Sequence, residues 1–206
     1  KAKESFVIND PQEDIYKKCS YELKKSGYNI LILDFNKATY GNNWNPLKEI
    51  YSYYKDNNHD LAMRLLEDLA YYIFYEPSNL NCDPFWINTS IDYFTGLVLY
   101  LFQNAKKEEI NLTSVVSLAN ALNEKGSSEK FLEKLGNESN ILLKVSGTLK
   151  APPETRGSIL SVFNQKIEKY ITRNNLENML STSNFDITKI PEEKTSTPTP
   201  QMPGMM

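Results

Sequence analysis

The sequence predicts a mainly α protein, a bundle-like helical body of about six to eight helices attached to a short parallel βαβ fragment. Three observations predict it. Apolar residues recur at three- and four-residue spacing across most of residues 47–180, with no convincing strand between them. Two short apolar runs near the start flank one helical pattern, all within about 30 residues. The composition, 40% hydrophobic and 24% charged over 206 residues, suits a chain that buries one substantial core.

The first run, residues 5–10 (SFVIND), stops at Pro11 and reads as a buried strand ending in a turn. Ile15, Cys19 and Leu23 then share one helical face, with Lys17, Lys18, Lys24 and Lys25 elsewhere, and Gly27 terminates that helix. Residues 28–35 (YNILILDF) form a continuous apolar run, the pattern of a strand covered on both faces. Strand, helix and strand in this order predict two parallel strands with a right-handed crossover.

After residues 36–46 the pattern becomes helical. Leu61, Leu65, Leu69 and Ile73 make one stripe; Ile87, Ile91, Phe94, Val98 and Leu101 make a second. Leu112, Val115, Ala119 and Leu122 make a third, and Ile159, Phe163, Ile167 and Tyr170 a fourth. Asp83-Pro84 reads as an N-cap with proline in the first turn. Thr113 or Ser114 and Ser127 or Ser128 are further starts, with Gly126, Gly136 and Gly147 as punctuation.

The stretch DPFWINTSIDYFTGLVLYLF is then the central helix of the body. Its strongly apolar part, residues 96–102, is far shorter than the roughly 20 residues that cross a bilayer. Trp86 is expected inside the body, and Phe85 against the loop of Trp44, Asn45 and Pro46. Neighbours on a helix point about 100° apart, so the two rings are not expected to share a contact. From residue 191 the chain reads PEEKTSTPTPQMPGMM, a flexible tail. The organisation is thus 1–46 for the βαβ fragment, 47–180 for the all-α domain, 181–190 for a return towards the first unit, and 191–206 for the tail.

Chemistry is sparse. A net charge of -3 and a pI near 5.4 argue against a whole-surface grip on nucleic acid. His59 is the sole histidine, and Cys19 and Cys82 the sole cysteines, read as unpaired thiols in a reducing cytoplasm. Cys19 is expected to act as a small hydrophobe, and the glycosylation-like triplets at Asn88, Asn111 and Asn137 as chance matches. The loop after the first run, Asn9-Asp10-Pro11-Gln12-Glu13-Asp14, carries carboxylates and no glycine where a phosphate needs backbone N–H donors. The scattered cations from Lys144 through Arg156 to Lys169 and Arg173 read as ordinary surface charge.

The order of local motifs resembles the conjugative coupling proteins, the TraG/TraD group of type IV secretion DNA-transfer ATPases. The resemblance runs over residues 5–187: FVINDPQEDIYKKCSYELKKSGYNILIL, Trp44-Asn45-Pro46-Leu47, Asp83-Pro84-Phe85-Trp86, residues 151–160 (APPETRGSIL), and Ser183-Asn184-Phe185-Asp186. It implies a fragment centred on the all-α domain that this family inserts into a RecA-like motor. The intact parent would be a hexamer using ATP and magnesium; this chain needs no cofactor and is expected to be a monomer without detectable ATP hydrolysis. Asp10 and Pro11 would lie near the parent's nucleotide, while Trp44, Asn45, Pro46, Phe85, Trp86, Thr155, Arg156, Gly157 and Ser158 are family-motif residues with structural roles. Gln12-Glu13-Asp14 stands where the family has Lys-Gly-Glu.

The implied function is to recruit a relaxase or another secreted protein, and possibly its DNA, to the other secretion components at the cytoplasmic face of the membrane. Helix ends around residues 104–112 and 124–140 are the expected contact surfaces. Two alternatives stand beside this reading: a degenerate coupling-protein relative with an assembly role, and an unrelated helical scaffold or regulator.

Overall fold

The computed structural model describes residues 4–75, 83–135 and 139–190. Nine α-helices are formed among them: α1 (Asp14–Lys25), α2 (Pro46–Lys55), α3 (His59–Phe74), α4 (Pro84–Asn104), α5 (Leu112–Asn123), α6 (Ser127–Leu135), α7 (Asn140–Leu149), α8 (Pro153–Ile171) and α9 (Asn174–Ser181). Helices α2 to α9 make the body, and the mainly α prediction holds.

The helix starts follow local chemistry. Asn45 accepts from the Leu47 amide at 3.0 Å with Pro46 in the first turn of α2. Asp83 does the same for α4, accepting from Phe85 at 2.9 Å. Asn111 caps α5 by accepting from Ser114 at 2.9 Å, two or three residues before the expected start. Gly126 (φ 80°) precedes α6, a backbone region that suits glycine. Gly147, expected as punctuation, lies instead inside α7, against Thr89 of α4.

Helix α4 is the axis of the core, and α3, α5, α7 and α8 pack around it. Phe94, Leu97, Val98 and Phe102 are all fully buried. An aromatic nucleus joins three helices: Phe74 lies 5.6 Å from Phe94 and 5.5 Å from Phe163, and Tyr93 lies 5.3 Å from Phe163. Such offset and edge-on ring contacts add to the burial energy of the aromatics themselves. Among the described residues no helix is long and apolar enough to cross a membrane.

The βαβ expectation is corrected. Residues 6–9 and 30–33 are not strands, and the sole β-pairing among the described residues is an isolated antiparallel bridge between Leu33 and Gly41. A parallel strand is stable when layers cover both its faces. Here Phe6, Val7 and Ile8 are 62%, 101% and 53% exposed, so that cover is missing and no ladder forms. The backbone N–H and C=O of Ile32 pair with Asn42 instead. Helix α1 buries no residue, and Cys19 is an exposed free thiol, contrary to the apolar role expected of it. Cys82, Gly136 and residues 191–206 lie outside the described residues.

Phe85 and Trp86 also depart from expectation. Their rings touch edge-on, with centroids 5.0 Å apart at 80°, because long aromatic side chains can lean across the angle between neighbouring Cα positions. Phe85 is 46% exposed and Trp86 half-buried. Phe85 cannot pin the Trp44 loop. That loop leads into α2, whose Tyr51 and Tyr54 pack on Phe102, and Phe102 stands about 26 Å from Phe85 along α4. Trp86→Ala is accordingly expected to lower stability by about 1–2 kcal/mol, short of the ~3–5 kcal/mol for a fully buried large aromatic. Urea denaturation of the chain measures it, and a loss at the upper figure would mean that Trp86 carries core packing.

Candidate functional site

The motif residues divide into separate places. Asn45 is buried and fully used: its amide donates to Ser183 Oγ at 2.9 Å, and its Nδ2 donates to the carbonyls of Ile110 at 2.7 Å and Ser181 at 3.3 Å. The Trp44 amide donates to Met179 at 2.9 Å. Its indole nitrogen is buried in the region of Glu49, whose carboxyl burial holds above the ordinary range. Pro46 and Leu47 are buried beside them. These contacts join the start of α2 to α9, to Ser183 and to Ile110 ahead of α5.

Thr155, Arg156, Gly157 and Ser158 lie in the first two turns of α8. Arg156 is the joint of three helices: Nη1 donates to Ser128 Oγ of α6 at 3.0 Å, and Nη2 to the Leu122 carbonyl of α5 at 2.7 Å. Ser158 donates back to the Glu154 carbonyl at 3.1 Å. Gly157 faces open space, and with Arg156, Lys150 and Glu129 it lines an open depression of about 680 Å³. The Tyr93 hydroxyl is fully buried, and burial pushes its pKa up to about 12 against the opposing charge of Arg156.

Asp10 and Pro11 sit in a loop closed on itself. Asp10 Oδ2 accepts from the Tyr16 amide at 2.8 Å, and its carbonyl accepts from Glu13. Glu13 is left-handed (φ 57°) and pairs with Lys37 at 2.6 Å and Lys17 at 3.3 Å, which hold its carboxyl below the usual range. A carboxylate ringed by its own lysines is not a phosphate cradle.

Among the cations of the body, Lys134, Lys144, Arg156 and Arg173 have partners within the fold. Lys144 reaches Glu67 and Asp92, each at 2.9 Å, and ties α7 to α3 and α4. Burial alone would lower its pKa, but the two carboxylates outweigh that and raise it. Arg173 Nη2 donates to the Phe35 carbonyl at 2.6 Å, and Lys134 to the Tyr100 hydroxyl at 3.2 Å. Residues 47–180 hold 14 Lys and Arg against 17 Asp and Glu, so no excess positive charge remains for a phosphate backbone. Among the described residues no cluster of His, Cys, Asp or Glu could hold a metal ion.

Apart from Leu143, the large apolar side chains that the body exposes are aromatic. Tyr71, Tyr72 and Tyr75, at the C-terminal end of α3, are 47%, 76% and 37% exposed; Tyr71 and Tyr75 stack at 4.8 Å and 13°. Phe85 stands open in the first turn of α4. By contrast residues 104–112, expected as a contact surface, are partly consumed within the fold, since Ile110 and Leu112 are buried and the Lys106 amide is capped by Glu109. Tyr71, Tyr72 and Tyr75 were not among the expected contact surfaces; three tyrosines within five residues at the end of an apolar stripe are the signal that marks them. The sequence reading also missed Lys144, Arg173 and Asn184 as structural partners, because each acts across a gap of at least 50 residues.

A family model described as type IV secretory system conjugative DNA transfer matches residues 1–197. No curated protein and no solved structure gives a match.

Proposed function

Because the chain belongs to the type IV secretory system conjugative DNA transfer family, we propose that its helical body recruits the cargo, binding a relaxase or another secreted protein as an adaptor and not as an enzyme. The observation that carries this reading is on its surface: aromatic side chains stand unburied at the end of α3 and the start of α4, while Lys144, Arg156 and Arg173 are paired within the fold and acidic residues outnumber basic ones across the body. Exposed tyrosines supply large contact area at small entropy loss and are enriched among residues that dominate protein interfaces. A DNA backbone would need clustered Lys and Arg. The partner that these side chains suit is therefore protein, and DNA follows as the cargo's passenger.

The chain alone is proposed to hydrolyse no ATP. It has no glycine-rich phosphate loop, and the acidic turn at residues 10–14 is occupied by its own ion pairs. The same turn favours a second reading, a relative in which nucleotide handling has degenerated and assembly remains. Restoring Lys and Gly at positions 12 and 13 in a full-length setting separates the two: regained ATP turnover supports it.

The recruiting reading is tested by titrating purified relaxase, and separately processed single-stranded DNA, against the chain and against Tyr71→Ala/Tyr72→Ala. Relaxase is expected to bind the parent chain and to bind the variant at least tenfold more weakly, about 1.4 kcal/mol, with an unchanged melting temperature. Tight binding of bare DNA that collapses with added salt, or full relaxase affinity in the variant, would overturn it.

A further inference from the structure

The two chain segments that bound the helical body, residues 42–45 and 181–184, are bonded to one another. The Asn184 amide donates to the Asn43 carbonyl at 3.2 Å. Asn184 Oδ1 accepts from Asn42 Nδ2 and from the Asn43 amide, both at 3.1 Å. Asn43 Nδ2 donates to Thr182 Oγ1 at 3.0 Å. Asn45 closes the row through Ser183 and Ser181 and extends it to Ile110, between α4 and α5. On the other side Asn42 holds both the N–H and the C=O of Ile32, beside the Leu33–Gly41 bridge.

Two segments some 140 residues apart thus form one continuous row of carboxamide and backbone bonds from Ile32 to the core. A body joined through two single linkers would swing, each linker residue adding two soft dihedrals. Here those dihedrals are held by side chains that bond across the pair. We propose that this asparagine clasp is a rigid joint: it makes the body and the 28–41 segment move as one piece, so that displacement of that segment is carried directly to the α4–α5 end of the core. The joint does not depend on which partner the body holds. Arg173 to Phe35, and Leu33 and Ala38 packed against the core, are further ties between the same parts, and the clasp is proposed as the one that fixes their orientation because it carries several directional bonds on both chain segments.

Electron–electron distance measurements on the full chain test this. Spin labels go on Thr39→Cys and Leu143→Cys, both exposed positions, with Cys19 and Cys82 changed to serine. The parent is expected to give a single narrow distance distribution. Asn42→Ala/Asn184→Ala, which leaves Asn45 and the core untouched, is expected to lose that narrow peak while keeping the melting temperature of the body. Arg173→Ala is expected to keep it. A broad distribution in the parent, an unchanged peak in the double variant, or broadening confined to Arg173→Ala would each overturn the proposal. If the double variant lowers the melting temperature, Asn184→Ser replaces it, and an unchanged peak there counts equally against the joint.

Discussion

Gly96→Val is expected to destabilise the chain by about 3–5 kcal/mol, at the upper edge of what overpacking does in a close-packed core. Gly96 sits in mid-α4 at its closest approach to α7. A Cβ built there would lie 2.5 Å from Val145 Cγ1 and 3.0 Å from Lys144 Cβ. Val145 is fully buried, β-branched and stiff at χ1, so it cannot turn away. The helices must part instead, and parting them stretches the ion pairs of Lys144 with Glu67 and Asp92. Gly96→Ala should cost less, about 1–2 kcal/mol, because alanine regains roughly 1 kcal/mol of helix propensity. The test is a double-mutant cycle in urea: Val145→Ala removes the clashing methyls, and Gly96→Ala should become neutral or stabilising in that background. Equal effects of Gly96→Ala with and without Val145→Ala would show that the close approach is not where the energy lies.

Asn45→Ala is expected to cost about 2–4 kcal/mol. It removes the side-chain cap of α2, typically about 1 kcal/mol. It also leaves the buried Ile110 carbonyl without its 2.7 Å donor, which costs a further 1–3 kcal/mol or so. Asn45→Asp separates the two contributions. The carboxylate still accepts from Leu47, yet it turns an acceptor towards the carbonyls of Ile110 and Ser181, so it should be no better than alanine despite preserving the cap. Equilibrium denaturation of both variants decides it. If aspartate restored full stability, capping would be the whole role of Asn45 and its link to Ile110 would be idle.

The helical body was legible in the sequence because its signals are local. Stripes such as Ile159, Phe163 and Ile167 predict the buried face of α8, where all three are fully buried. Asp83-Pro84 starts α4 from within its own first turn, and Asn45-Pro46 starts α2 in the same way. The stripe of Ile15, Cys19 and Leu23 predicted a helix equally well, and α1 formed. It did not predict burial, because a stripe says which residues share a face and not whether anything covers that face.

Pairing was decided elsewhere. The runs at residues 5–10 and 28–35 have the composition of buried strands. A strand, however, draws its backbone bonds from another segment and its burial from neighbouring layers, and periodicity contains neither. Asn45 and Asn184 fall in quoted motifs, but nothing in the sequence pairs them or Asn42 and Asn43 with one another, since a hydrogen bond between polar side chains needs a particular distance and no repeat. Lys144 and Arg156 read as ordinary surface charges until α3, α4, α5 and α6 bring Glu67, Asp92, Leu122 and Ser128 within reach. The sequence alone determined that residues 47–180 would be helical and what its motifs resemble, because 3.6-residue periodicity and capping act within one turn. Only the tertiary structure decided that Gly96 marks a helix crossing, that the tyrosines at the end of α3 stay exposed, and that the body's two ends are fastened together. Those depend on contacts between segments far apart in the chain, whose geometry exists only once the core has packed.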